Sequence, residues 1–170
     1  MSIAADVSPV DPVARRPSAL PRVVVHKFGG TSVADADRYR HVAGLLRQRG
    51  EAVQVTVVSA MKGVTDALIA LAGLAAAGDA QWREQWHALR ARHRGAAVAL
   101  LGEHSGSSVD WLDARFDELA ELLAALAVIG GVPDEVLDRV QGLGEVCSAH
   151  LLGQHFLAMG VECAVLDARD

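Results

Sequence analysis

Residues 23–34, VVVHKFGGTSVA, carry the strongest structural signal in this chain. Successive β-branched residues predict a parallel strand that is buried on both faces. The glycine pair that follows lets the chain turn sharply with its backbone amides exposed. Thr31 and Ser32 are predicted to cap the next helix, and Lys27 adds a full positive charge at the end of the strand. Together these features predict a phosphate-binding site.

A plain turn between strand and helix is the alternative to a phosphate site at these residues. The segment is not a Walker P-loop, because Lys27 precedes the glycines and the GxxxxGK[ST] spacing is absent. It also lacks the spacing of a dinucleotide-binding fingerprint. A tight turn with a lysine at the surface is the commoner meaning of a glycine pair after a strand. The local residues alone therefore allow both a phosphate site and a plain turn.

The following segments predict an α/β fold. Residues 35–48 carry apolar side chains at helical spacing, residues 53–58 form a second apolar strand, and residues 63–77 are again helical. A strand, helix, strand order of this length predicts two neighbouring parallel strands. The beginning of a mainly parallel sheet is therefore expected.

Helical pattern dominates the remainder. Residues 82–101 and 109–129 predict two long helices that form an inserted helical hairpin against the α/β core. Residues 133–159 predict further helix with a break at Gly142 or Gly144. Residues 163–167 are a candidate third strand. Helices should therefore outweigh strands.

Composition excludes several classes of protein. A net charge of −5 argues against nucleic acid binding, which requires a basic face. No apolar run reaches the roughly 18 residues of a membrane-spanning helix. Residues 1–21 contain four prolines and no apolar core of a signal peptide, so a flexible N-terminal extension is expected. Cys147 and Cys163 are isolated and predict reduced core thiols in a cytoplasmic protein. No histidine cluster predicts a metal site.

Three motifs resemble those of one family. KFGGTSVA at residues 27–34 is similar to the opening motif of the aspartate kinases, within the wider amino acid kinase family. VVSAM and GVTD within residues 57–66 carry the same resemblance, as do Gly144-Glu145 and Ser148-Ala149. The resemblance implies a three-layer α/β/α sandwich with a mainly parallel sheet. It also implies that residues 22–170 are the N-terminal, amino-acid-binding part of the catalytic domain, ahead of the nucleotide-binding half.

The resemblance also implies the site residues. It places ATP phosphate binding on the first motif, with the lysine also stabilising the transferred phosphoryl group: Lys27, Gly29, Gly30, Thr31 and Ser32. It places substrate contacts on three residues of the other motifs: Ser59, Thr65 and Glu145. Ser59 ends the second predicted strand, at the edge where parallel sheets bind ligands. The alternatives are that Ser59 and Thr65 satisfy turn amides and that Glu145 is a plain helix cap.

The activity implied is transfer of phosphate from ATP to the side-chain carboxylate of L-aspartate. The product, 4-phospho-L-aspartate, begins lysine, threonine and methionine biosynthesis. ATP and Mg²⁺ are the expected cofactors, with the metal ligands outside this chain, so the isolated chain is expected to be inactive. A homo-oligomer with regulatory domains is the expected context, and the motifs resemble both single-function kinases and those fused to homoserine dehydrogenase. The alternatives are another amino acid kinase, acting on glutamate, acetylglutamate or a nucleotide, and a non-catalytic amino-acid-binding module.

Overall fold

The computed structural model describes residues 22–49 and 53–169. The predicted flexible extension, residues 1–21, lies outside the described residues. Two strands and six α-helices occur in the described part, together with two short 3₁₀ helices at Gly30–Val33 and Gly102–Ser105. In chain order the regular elements are β1 (Val23–Phe28), α1 (Ala36–Arg47), β2 (Val53–Val58), α2 (Val64–Ala76), α3 (Gln81–Leu101), α4 (Gly106–Ile129), α5 (Asp134–Gln141) and α6 (Leu143–Ala158).

The two strands form a parallel pair. Val23 pairs with Val53 at one end of the ladder, and Phe28 pairs with Val58 at the other. Helix α1 connects the strands, as the strand, helix, strand order predicted. The predicted α/β class with a parallel sheet is confirmed, and the carboxyl ends of both strands lie at the same edge.

The prediction that both faces of these strands are buried is wrong for the described residues. Phe28 and Val58 pack on the core. Side chains on the opposite face are 39–66% exposed and belong to both strands: Val23, Val25, Val53, Val55 and Val57. The described helices pack against one face of the sheet. The valine side chains on the other face are therefore not covered by any described element.

The predicted third strand is also absent. Residues 161–167 are not assigned to any strand and run beside α6. The Cys163 thiol donates to the carbonyl oxygen of Gly153 at 3.4 Å. A strand needs a partner for its backbone groups, and no described strand lies beside this segment. Cys163 is exposed, so the prediction of a core thiol holds for Cys147 and is wrong for Cys163.

The predicted helical hairpin is confirmed as α3 and α4. Helix α4 begins at Gly106, earlier than predicted, because the short 3₁₀ helix replaces most of the expected loop. Trp86 Nε1 donates to the carbonyl oxygen of Phe116 at 2.8 Å, and Arg90 pairs with Asp113 at 2.9 Å. The break near Gly142 is confirmed by the boundary between α5 and α6.

No helix in residues 22–49 and 53–169 has the length and apolarity to cross a bilayer.

The helix that follows the glycine pair is capped differently from the prediction. Asp35 is its N-cap, and its carboxylate accepts a hydrogen bond from the Arg38 amide at 2.9 Å. Thr31 and Ser32 lie instead in the 3₁₀ helix, which separates the glycine pair from α1. The predicted cap is therefore wrong, because one extra turn of chain precedes the helix.

Candidate active site

The loops that follow β1 and β2 are in direct contact. The Lys62 amide donates to the carbonyl oxygen of Gly30 at 3.1 Å, and the Ser59 amide donates to that of Phe28 at 3.0 Å. A Cβ atom on Gly30 would lie 2.8 Å from the carbonyl oxygen of Ala60. Only glycine permits this approach, since heavy atoms at that distance overlap. The first two motifs are therefore joined at one edge of the sheet.

The third motif reaches the same place. A Cβ atom on Gly144 would lie 2.6 Å from Ala60 Cβ and 2.9 Å from Val64 Cγ1. The first turn of α6 therefore packs directly on the second loop, and it carries Glu145. Three motifs that are far apart in the sequence meet around Ala60, as expected for a site at the carboxyl end of parallel strands.

The loop after β1 offers backbone donors to an anion. Gly29 is extended, with φ −77° and ψ 171°, and its carbonyl oxygen accepts from the Ser32 amide at 2.8 Å. Within the described ranges, the amides of Gly29, Gly30 and Thr31 donate to no acceptor. Unpaired amides in succession, beside a lysine, favour a bound phosphate or carboxylate oxygen.

Lys27 lies two residues before the first of these amides. Lys27 is exposed and pairs with Val57 in the ladder, so its side chain leaves the sheet near the carboxyl ends of both strands. It forms no ion pair with any described residue. A cation without a carboxylate partner remains available to an anionic ligand.

The remaining predicted residues border the same edge. Ser59 follows β2, Thr65 is the second residue of α2, and Glu145 is the third residue of α6. All three are half-buried. Among the hydrogen bonds of the described residues, none involves their side chains, and neither α2 nor α6 has a side-chain N-cap bond. Thr65 and Glu145 therefore make no side-chain cap hydrogen bond, and Glu145 lies in the first turn of α6, where a carboxylate also interacts favourably with the helix dipole.

The described residues do not fit a magnesium site. Magnesium prefers carboxylate oxygens, with several water ligands retained. No group of three or more His, Cys, Asp or Glu residues in the described part is arranged to hold a metal ion. The unpaired amides and the positive charge of Lys27 are instead the kinds of group that bind an anion such as a phosphate.

Sequence reasoning missed an arginine that touches both loops. Arg92 Nη2 on α3 donates to the carbonyl oxygen of Lys62 at 2.9 Å and lies 3.4 Å from that of Ala34. The sequence contained no signal for this contact, because helical spacing alone cannot identify a contact to a distant loop. The hairpin therefore reaches the candidate site through Arg92.

A buried contact between helices was also missed. The hydroxyl groups of Tyr39 on α1 and Ser148 on α6 lie 2.5 Å apart. Both residues are almost fully buried. Tyr39 lies within the segment 35–48 that spacing predicted to be helical, and the third motif contains Ser148, but nothing in the sequence linked the two residues.

The sequence is similar to that of known kinases. The sequence profile of the amino acid kinase family matches residues 22–170. Bifunctional aspartokinase/homoserine dehydrogenase 1 of Arabidopsis thaliana is 33% identical over 147 residues, which cover 86% of this chain and 16% of that protein. Bifunctional aspartokinase/homoserine dehydrogenase 2 of Escherichia coli is 34% identical over 146 residues, covering 86% and 18%.

Solved structures give the same result. Escherichia coli aspartokinase III in complex with aspartate and ADP, in its R-state, has a TM-score of 0.72 at 26% identity and covers 83% of this chain and 30% of its own. The same enzyme with lysine and aspartate, in its T-state, has a TM-score of 0.71 at 26% identity and covers 82% and 30%. The chain thus spans less than a third of each relative and neighbour.

Proposed function

This chain belongs to the amino acid kinase family, and on that premise we propose that it forms the amino-acid-binding part of an aspartate kinase catalytic domain. The reaction is transfer of the γ-phosphoryl group of ATP to the side-chain carboxylate of L-aspartate. The meeting of three motifs around Ala60 carries this proposal. The names of the relatives and the aspartate and ADP bound to the solved neighbour support the choice of substrates.

Phosphoryl transfer places specific demands on the loop after β1. An aspartate oxygen forms a bond to the γ-phosphorus while the bond from that phosphorus to the bridging oxygen breaks, and ADP leaves with the electron pair. Negative charge is spread over the phosphoryl oxygens in the transition state. Lys27 and the unpaired amides of Gly29 and Gly30 supply the positive charge and dipoles for those oxygens. Thr31 and Ser32 complete the proposed phosphate loop.

The amino acid is held by the neighbouring residues in this proposal. Ser59 and Thr65 hydrogen bond to the substrate at the ends of β2 and the start of α2. Glu145 pairs with the α-ammonium group. Its half-buried carboxylate supports this role, since it forms no ion pair with a described residue and is open to a cationic ligand.

The relatives support a proposal for the wider context. Fusion to homoserine dehydrogenase is part of their names, and we propose a similar arrangement for the whole protein. A homo-oligomer with regulatory domains, working in the cytoplasm in lysine, threonine and methionine biosynthesis, belongs to the same proposal. ATP is bound as its Mg²⁺ complex, with metal ligands from outside this chain.

A coupled ADP-release assay on the whole protein tests the function. Aspartate should support turnover with Mg-ATP, while glutamate and acetylglutamate at the same concentrations should not. Lys27→Ala should lower kcat by about a hundredfold or more and change the aspartate KM far less, because the charge acts in the transition state. Arg47→Ala, which removes an exposed charge at the far end of α1, is the control and should be active. Turnover with another acceptor, or unchanged kcat for Lys27→Ala, would overturn the assignment.

A further inference from the structure

Helices α1 and α6 are joined by a buried hydrogen bond between two hydroxyl groups. Tyr39 Oη and Ser148 Oγ lie 2.5 Å apart, and the residues are 0% and 1% exposed. In the described ranges this is the single buried hydrogen bond between two side chains; the others are exposed or half-buried. The bond is therefore distinguished from the surface pairs by the exclusion of water.

The hydrogen bond between Tyr39 and Ser148 is directional, and its burial makes it costly to break. Burial raises the pKa of Tyr39 well above its ordinary value, so the phenol stays neutral at any physiological pH. A buried hydroxyl without a partner loses its hydration without compensation. Apolar contacts are non-directional and tolerate a small rotation of one helix on another, whereas a hydrogen bond does not. The pair can therefore fix the rotation of α6 about its own axis.

The hydrogen bond between Tyr39 and Ser148 lies close to the candidate site. Ser148 lies three residues after Glu145, so both share one side of α6. Gly144, just before Glu145, packs on Ala60. Tyr39 is the fourth residue of α1, and α1 is the helix that follows the loop with the unpaired amides. The hydrogen bond thus links the helix that follows the phosphate loop to the helix that carries the glutamate.

We propose that Tyr39 and Ser148 are positioning residues, whose hydrogen bond sets the rotation of α6 and directs the Glu145 carboxylate to the substrate ammonium. This inference rests on the proposed function. Neither residue touches the reacting groups. Both act through Glu145 and through the packing of Gly144 on Ala60.

Two nearly isosteric substitutions test the proposal in the whole protein. Tyr39→Phe and Ser148→Ala each remove one hydroxyl and leave the other unpaired. Each should lower the melting temperature by about 2–6 °C. Each should also raise the aspartate KM by roughly fivefold or more, with the ATP KM unchanged, because a misdirected carboxylate loses part of a charge-assisted contact.

The double variant separates positioning from stability. Removing both hydroxyls leaves no unpaired group, so the melting temperature should recover most of its loss. The aspartate KM should stay high, because the restraint on α6 is still missing. Trp86→Phe is the matched control: it removes the buried hydrogen bond to Phe116 inside the hairpin and should lower the melting temperature without changing the aspartate KM.

Hydrogen exchange in the substrate-free protein gives a readout that does not depend on catalysis. Amides of residues 59–66 and 143–147 should exchange faster in Tyr39→Phe and Ser148→Ala and keep their wild-type rates in Trp86→Phe. If the wild type shows no aspartate-dependent ADP release, the proposed function fails, and this exchange pattern alone decides whether the pair restrains the site. If the wild type is active and the variants lose only thermal stability, the positioning role is overturned while the proposed function stands.

Discussion

Single residues show where local pattern ends and tertiary contact begins. The glycine pair predicted a sharp turn, and the loop does turn there. The reason for glycine at position 30 is different, however: its backbone approaches the carbonyl oxygen of Ala60 too closely for a side chain. No sequence pattern contains that contact, because Ala60 lies in a separate loop after the next strand. The choice of Glu145 came from resemblance alone, and its half-buried, unpaired carboxylate is known only from the structure.

Glu145→Gln is the substitution that tests this residue. If the carboxylate pairs with the substrate ammonium, the variant should weaken aspartate binding by on the order of 2 kcal/mol, or about 30-fold in KM, and leave the ATP KM unchanged. Steady-state kinetics and a melting curve of the same preparation give both quantities. Glu135→Gln, in the first turn of α5, is the control for loss of an acidic residue from a helix start. A helix-stabilising role alone would instead lower the melting temperature and leave the aspartate KM intact.

Whole elements were predictable where their periodicity is strong. The spacing of apolar residues located α1 to α4 to within a few residues, apart from the early start of α4. It did not predict that α3 would contact the candidate site, because an arginine on a polar helix face has no periodic signature. Arg92 donates to the carbonyl oxygen of Lys62, so the hairpin contacts the candidate site directly. The fit of α6 against the second loop is likewise a property of two elements together.

Gly144→Ala measures how tightly α6 fits that loop. Alanine favours a helix over glycine by about 1 kcal/mol, but here the added methyl group would overlap Ala60 Cβ. The variant should therefore be less stable, and its aspartate KM should rise as the first turn of α6 moves away. Gly73→Ala in α2 is the matched control, since nothing lies within 4 Å of its added methyl group, and it should be more stable by roughly 0.5–1 kcal/mol. Equal gains in unfolding free energy for both variants would contradict the close packing.

At the scale of the whole molecule, the fold class was predicted correctly from the sequence, whereas the burial of the strands was not. A run of valines specifies a strand, but what covers each face depends on the other elements present. That is why the β1 and β2 side chains on one face are exposed, and why the segment 163–167 does not become a strand. The interior of the helical layer holds a further group that composition did not reveal. His93 is 1% exposed within the hairpin.

His93 should make the fold sensitive to acid. Its Nδ1 donates to the carbonyl oxygen of Leu89 at 2.8 Å, and burial lowers the pKa of His93 to about 4 from an ordinary 6.5. Because the folded pKa is the lower one, the unfolded chain binds the proton first as pH falls. The stabilising contribution of the neutral ring is complete above pH 6.5 and is lost progressively down to about pH 4, a loss of roughly 3 kcal/mol.

Urea unfolding of the protein at several pH values between 7 and 4 measures this loss directly. The free energy of unfolding should fall across that window in the wild type and fall distinctly less in His93→Leu. His150, whose pKa burial also lowers to about 4, keeps part of the slope in that variant. The exposed His104 supplies the control, because His104→Gln should retain the full wild-type dependence. An identical slope in His93→Leu and the wild type would mean that the unfolded and folded states bind the His93 proton equally well, and that its burial has no part in acid unfolding.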